Sequence, residues 1–363
     1  FYALTKYICN LLSANNQMFL LLVSFAFSYE VYKTCADMRF CRENIDLKGQ
    51  WTLKHPRFNK DNNEFTGNLY NNDIDDELRL VIYRMQENSF RIQAIPLNRE
   101  DFSRYNTSSN PLVINQSIIN QHLQLSVSSN ENQYILTSPD CQAEIQLSPF
   151  SITITDKYNS TIYLNADQGL VFEHKNQAVD PDIWPYYQND TIIHGATAVG
   201  IDFSFKGKNT RLTGFPEADE SINLIDTSEE PKRVTNVDYY SMYGHVPLVY
   251  GHSATQMLSF FWINPTDTFL KIHTDEANDR RNIRVLSEGG FLDIVVFTGK
   301  MNTLIESYTD LTGKPDIPPM FTLGYHQSKW GYKNQSMVEN VIDQLDANDF
   351  PIDVMWLDVD HLY

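Results

Sequence analysis

The sequence predicts a mainly β protein: a large antiparallel β-sandwich, then the first strand, helix and strand of a (β/α)8 barrel. Three observations predict it. Apolar residues recur at a spacing of two from about Gln50 to Phe297, with turn signals between the runs and no long helical periodicity. Thr312–Pro319 then interrupts the chain, because its three prolines continue neither a ladder nor a helix. Beyond it the pattern reads strand, helix, strand within ~40 residues, which is a βαβ unit.

The elements follow in order. Met18–Ser28 is an apolar run too short for a membrane span, which takes ~20 residues. It has the length of a signal-peptide core, and Ala26-x-Ser28 resembles a cleavage site, so residues 1–28 are expected to be a leader and the mature chain to begin near Tyr29. No role is assigned to residues 1–17. No second apolar span follows. Cys35 and Cys41 share a short polar segment, which permits a small disulfide loop. No His or further Cys stands near them to form a metal site. Cys141 lies alone in a strand-like run and reads as a buried thiol.

Residues 29–310 are expected to form the sandwich. Leu78, Leu80 and Ile82, then Phe90, Ile92 and Ala94, alternate around a turn near Glu87-Asn88 and predict a hairpin with one wet face. Ile145 and Leu147, then Phe150, Ile152 and Ile154, predict another. Phe260–Trp262 and Phe291–Phe297 read as later strands. The Asn-rich segments Asn59–Asn72 and Ser103–Asn120 read as surface loops. From residue 311 to 363 the grammar is that of the barrel. Phe321–Gln327 predicts a strand. Ser336–Asn348 predicts a helix with Val338, Val341, Ile342 and Leu345 on one face and a capping box at Ser336 and Glu339. Ile352–Leu357 is a continuous apolar strand, as expected where both faces are covered. A complete barrel takes ~250 residues, so the barrel is expected to be truncated here.

Composition narrows the function. The formal net charge of −18 and the lack of a basic cluster exclude a nucleic-acid partner and are compatible with a neutral ligand such as a sugar, although solubility alone explains an acidic surface. Metal-ligand spacings, phosphate loops and dinucleotide fingerprints do not occur, so no cofactor is implied. Gly251-His252-Ser253 is not a nucleophile elbow. Five Asn-x-Ser/Thr sequons begin at Asn106, Asn115, Asn159, Asn189 and Asn334; an Asn-rich chain also forms them by chance.

Active sites of parallel barrels lie at the C-terminal strand ends. Those ends carry His326 and Gln327, then Asp358, Asp360 and His361. Carboxylates at i and i+2 of a strand end would face the same way and could bind hydroxyls or move protons. A pair of solvated loop acids, and for His326 a satisfied core histidine, are the plainer readings of the same residues.

Leu323-Gly324-Tyr325-His326-Gln327-x-x-Trp330-x-Tyr332 resembles the opening barrel strand of glycoside hydrolase family 31. Leu311-Thr312-Gly313-x-Pro315-x-x-Pro318-Pro319 resembles the approach to it. Phe350–His361 resembles its second strand. Gly200–Phe205, Gly214-Phe215-Pro216-Glu217, Asn236-x-Asp238, Tyr243-Gly244-x-x-Pro247 and Phe261-Trp262-x-Asn264 resemble that family's galactose-mutarotase-like N-terminal domain. Within the family, Lys33-Thr34-Cys35, Phe40-Cys41 and Gly169–His174 resemble the endoplasmic-reticulum glucosidase II α branch. Asp360 stands where that branch usually has Glu, and Ala218 where His commonly follows the Pro-Glu.

The resemblance implies a retaining exo-α-glucosidase, with an aspartate nucleophile and a second aspartate as acid. It implies an N-glycan bearing α-1,3-linked glucose as substrate, a β-subunit as partner and the endoplasmic-reticulum lumen as location. Asp358 would hydrogen-bond glucose hydroxyls, and Asp238 would reach the same sugar from a sandwich loop. Asp360 and His326 would support them. The nucleophile's Trp-x-Asp-Met-Asn-Glu context occurs nowhere in the 363 residues. The expected chain is therefore the inactive front part of such an enzyme. Two alternatives stay open: a non-catalytic sugar-binding sandwich, and another family 31 α-glucosidase or α-xylosidase.

Overall fold

The computed structural model describes residues 34–71, 73, 76–97, 114–173, 198–217, 221–227, 231–234, 244–254 and 256–362. These fall into two compact units divided after Thr312. The leader, the sequons at Asn106 and Asn189, and Asp238 lie outside the described residues.

Unit 1 opens with a one-and-a-half-turn helix, α1 (Arg39–Asn44), tied by the Cys35–Cys41 disulfide. Strands β1 (Thr52–Asn59), β2 (Glu64–Asn71), β3 (Asp76–Gln86) and β4 (Ser89–Pro96) form a meander. After the single-turn α2 (Gln116–Ile119) come β5 (Ser126–Ser129), β6 (Gln133–Thr137), β7 (Cys141–Leu147), β8 (Phe150–Asp156), β9 (Thr161–Leu164) and β10 (Val171–Glu173). Then follow β11 (Ala198–Lys206), β12 (Arg211–Gly214), β13 (Asn223–Leu224), β14 (Lys232–Val234) and β15 (Leu248–His252). β16 (Met257–Trp262), β17 (Thr268–Asp275), β18 (Arg280–Ser287), β19 (Leu292–Thr298) and helix α3 (Met301–Thr312) complete the unit.

One sheet of nine strands runs β1-β2-β3-β4-β19-β16-β15-β12-β13. A second, of ten, runs β14-β17-β18-β11-β9-β8-β7-β6-β5 with β10 on β11. Every pairing within them is antiparallel. The expected hairpins are present: Ile82 faces Ile92 across β3–β4, and Ile145 faces Ile152 across β7–β8; the expected wet face of β3–β4 is not there, because Val81, Tyr83, Ser89 and Arg91 on that side are buried. Their alternating apolar side chains meet between the sheets in one core, where Phe203 stacks on Phe260 at 3.8 Å. Trp262 is fully buried and donates its indole N–H to Ser287 Oγ at 2.9 Å, which satisfies the one polar atom it carries inward.

The nine-stranded sheet is covered on its other face as well. There Tyr83, Phe261, Val295 and Phe297 pack with Ile119 of α2 and with Leu304 and Leu311 of α3. Covering both faces explains why every residue of β19 is buried. It also encloses an ion pair. Arg91 of β4 reaches Asp293 of β19 twice, at 2.9 and 2.6 Å, and donates to the Tyr83 hydroxyl at 2.7 Å. Asp293 and Tyr83 hold the guanidinium above its ordinary range despite burial.

The two Asn-rich segments expected to be surface loops need correction. Asn59–Asn72 is not wholly a loop, because Glu64–Asn71 is β2. Its Phe65 and Leu69 point inward and Gly67 fits against Leu53. Ser103–Asn120 also holds structure: Asn115 caps α2, and Ile114 and Ile119 are buried. Cys141 is a buried free thiol, as expected.

Unit 2 comprises a 3-10 turn at Met320–Leu323, β20 (His326–Gln327), α4 (Gln335–Ala347), β21 (Val354–Met355) and a 3-10 turn at Val359–Leu362. β20 and β21 pair in parallel, His326 with Val354 and Gln327 with Met355. The strands are shorter than the apolar runs, and a turn occupies most of the first one. The helix cap also differs from the expected Ser336–Glu339 box. Asn334 caps α4 by accepting the Met337 N–H at 3.0 Å, and Ser336 donates to that same side chain.

Candidate functional site

The site is built where β20 and β21 run side by side. Asp353 fastens their start, accepting the Tyr325 N–H at 3.1 Å. A side chain at Gly324 would lie 1.9 Å from the same carboxylate, so the approach requires glycine. At the other end Trp356 N–H donates to Gln327 O at 2.9 Å.

His326 is half-buried, and both ring nitrogens are engaged. Nδ1 accepts the Trp356 indole N–H at 2.8 Å, so Nε2 carries the proton and donates to Thr322 O at 3.0 Å. The ring thereby serves as a strut between Trp356 and the turn at Thr322. Tyr325 donates to Gln327 Oε1 at 2.6 Å, and Gln327 Nε2 reaches the Tyr332 hydroxyl at 3.2 Å. Trp356 and Tyr332 were not singled out in the sequence as partners of these polar ends. Their spacing gives no local signal, since the Trp356–His326 bond closes a loop of thirty residues.

Asp358 lies three residues past β21 and is exposed. Its Oδ1 accepts the Val359 N–H at 2.7 Å, and its other carboxylate oxygen has no partner among the described residues. That leaves acceptor capacity for hydroxyl donors. Asp360 is half-buried in the following 3-10 turn, so strand alternation does not relate it to Asp358. With Tyr332, Met355, Leu357 and His361 it lines a cavity of about 670 Å³. His361 turns back on Asp358, its N–H and Nδ1 meeting the Asp358 carbonyl at 3.0 and 2.6 Å, while the Asp358 carboxylate stays on the surface beyond the strand.

Asn115, Asn159 and Asn334 are exposed, and Asn115 and Asn334 both cap helices through Oδ1. No helix among the described residues is long and apolar enough to cross a membrane. No group of His, Cys, Asp or Glu among them could hold a metal ion.

Residues 79–270 match the glycosyl hydrolase 31 N-terminal galactose mutarotase-like domain, and residues 315–363 match the family 31 TIM-barrel domain. The chain belongs to glycosyl hydrolase family 31. It is 32% identical to the Saccharomyces cerevisiae glucosidase 2 subunit alpha over 271 residues, covering 68% of this chain and 28% of that protein. It is 35% identical to the Dictyostelium discoideum neutral alpha-glucosidase AB over 188 residues, 47% of this chain and 20% of that one. The chain therefore spans less than a third of either relative. A solved endoplasmic-reticulum glucosidase II complex, a catalytic subunit with the binding domain of its regulatory subunit, shares the fold. Its TM-score is 0.77 at 23% identity, over 90% of this chain and 42% of that one.

The first match covers the sandwich from within β3 to within β17, and β20, α4 and β21, with His326, Asp358 and Asp360, lie in the segment that matches the barrel.

Proposed function

We propose that this chain is the N-terminal part of a retaining exo-α-glucosidase that removes α-1,3-linked glucose from immature N-glycans in the endoplasmic-reticulum lumen. The observation that carries the reading is the parallel β20–β21 pair inside the barrel-matching segment, with Asp358 just past its C-terminal end. Barrel enzymes gather substrate at that end. Asp358 accepts glucose hydroxyls in this reading, and a part for Asp238, outside the described residues, rests on the family resemblance alone. Each such charge-assisted bond is worth ~1.5–3 kcal/mol. Asp360 and the Trp356–His326 strut hold the loop that carries Asp358.

The nucleophile and acid come from sequence outside these 363 residues, because the Trp-x-Asp-Met-Asn-Glu run is absent from them. Hydrolysis by this polypeptide alone is not expected. A regulatory β-subunit like that of the solved complex is the expected partner. Among the described residues Asn159 and Asn334 are the exposed sequons best placed for a glycosyltransferase; capping at Asn334 uses Oδ1 and leaves Nδ2 for the sugar, whereas Asn115 Nδ2 donates to Asp310 O at 3.4 Å.

The test is Asp358→Asn in the full-length enzyme. Turnover of an aryl α-glucoside should fall at least about tenfold, ~1.4 kcal/mol in kcat/KM. A variant that turns over the substrate at the wild-type rate would remove Asp358 from the sugar site.

A further inference from the structure

The outward face of the ten-stranded sheet holds a groove that the glucosidase reading does not use. Its volume is about 740 Å³, within the ~300–1,000 Å³ typical of ligand sites. Its floor is set by register. Thr153 of β8 pairs with Tyr163 of β9, Tyr163 with Ser204 of β11, and Ser204 with Asn282 of β18. Alternation then puts Ser151, Thr153, Tyr163 and Arg280 on one face. The Arg280 guanidinium stands 3.8 Å from the centre of the Tyr163 ring. Neither the Tyr163 hydroxyl nor Arg280 has a hydrogen-bond partner among the described residues.

The wall is rigid before any ligand arrives. Asp202, fully buried, collects the backbone N–H groups of Ala166, Asp167 and Gly169. Asn165 locks the same turn by accepting the Leu170 N–H and donating to Phe150 O. Gly49 N–H donates to Gln168 O at 2.7 Å, and a side chain on Gly49 would lie 1.8 Å from Leu170 O. Such a wall spends no ordering entropy on binding. Within it the side-chain carbonyl of Gln168 is buried without a partner.

The charges around the groove select the ligand. Lys48 and Arg280 share the lining with Asp73 and Asp167, and just outside it His273 meets Asp167 at 3.3 Å and Asp275 stands opposite Arg280, so both signs alternate round the rim of a chain whose net charge is −18. A balanced rim favours neither an anion nor a cation. Hydroxyls, amides and an aromatic ring beside it suit a neutral polyol.

We propose that this groove is a second, non-catalytic carbohydrate site, in which a neutral oligosaccharide rests on the Tyr163–Arg280 pair and bonds to the Asn165–Gly169 wall. The test is saturation-transfer NMR on the full 363-residue chain with maltotriose and with mannotriose. At least one trisaccharide should show saturable transfer. Tyr163→Ala and Arg280→Ala should each weaken it at least about tenfold, and Ser151→Trp, which fills the groove, should abolish it. Lys208→Ala, on a different surface turn, should leave it unchanged. Melting curves establish that each variant is folded. The proposal is overturned if neither sugar shows saturable transfer, or if the groove variants bind as wild type. It is likewise overturned if inorganic phosphate at equal concentration displaces the sugar, which marks an anion site. Loss of transfer in Asp358→Asn also overturns it, because the sugar is then bound at the barrel and not in the groove.

Discussion

Glu288 shows how one residue couples the disulfide loop to pH. It follows β18 and accepts the Cys41 N–H at 3.0 Å. Burial pushes its carboxyl up from 4.5 to about 7; the Cys41 bond and Arg39 offset that only in part, and Asp267 and Glu173 add to it. A carboxyl whose folded pKa is raised keeps its proton in the folded chain longer than in the unfolded one. Its effect on stability is nil below pH 4.5, where both states hold the proton. Stability then falls as pH rises from 4.5 to about 7, by up to about 3 kcal/mol. Glu288→Gln keeps an acceptor for Cys41 and removes the titration. The variant should melt a few degrees above wild type at pH 8 and within a degree of it at pH 4.5, by calorimetry in both buffers. A wild-type advantage at pH 8 would mean that the ionised carboxylate is the stabilising form. The disulfide loop itself was legible, because two cysteines six residues apart in a polar segment leave few other roles. Glu288 was not, since its partner is 247 residues away.

At the scale of the element, legibility followed the period of the pattern. β7 and β8 have one face on the core and one wetter, and strict alternation shows that directly; β3 and β4 alternate as well, although their second face is covered, with Tyr83 and Arg91 buried. β2 was hidden because Gly67 and two Asn dilute its inward apolar residues, Phe65 and Leu69, yet its neighbours on both sides supply the ladder. α3 went unread although Leu304, Tyr308 and Leu311 keep helical spacing; the apolar run of β19 just before it masked the change of period. The helix seals the second face of the nine-stranded sheet, where Tyr308 meets Phe261 edge-on at 5.2 Å. Leu304→Ala should therefore cost about 2–5 kcal/mol in urea unfolding. Ile305→Ala, one position on and 44% exposed, should change it by less than about 0.5 kcal/mol. Equal effects at both positions would mean that α3 does not seat on the sheet. The candidate site fared likewise. Its acidic residues were legible from their place after an apolar run, whereas the Trp356 bond that fixes the His326 tautomer depends on strand register.

On the scale of the molecule the two units differ in what holds them together. The sandwich has a continuous core with fully buried Trp51, Phe90, Phe203, Phe260 and Trp262. Unit 2 has a two-residue parallel pair, and no residue of α4 is buried. Met320, Leu323, Trp330 and Trp356 are 82, 71, 63 and 53% exposed. Two-stranded sheets are marginal in water, and a parallel pair gains its stability from helices on both faces. This polypeptide by itself should then behave as a stable sandwich with a labile segment at residues 313–363. Backbone amides of β11 and β18 should resist hydrogen exchange up to global unfolding, while those of β20, α4 and β21 exchange through local opening. The exposed apolar side chains should bind a hydrophobic dye and promote self-association. Removing residues 313–363 should abolish dye binding and leave the sandwich melting transition unchanged. A single transition in which β20 and β21 are protected as strongly as β11 would show that unit 2 is already stable in this polypeptide, and that its apolar face needs no further barrel.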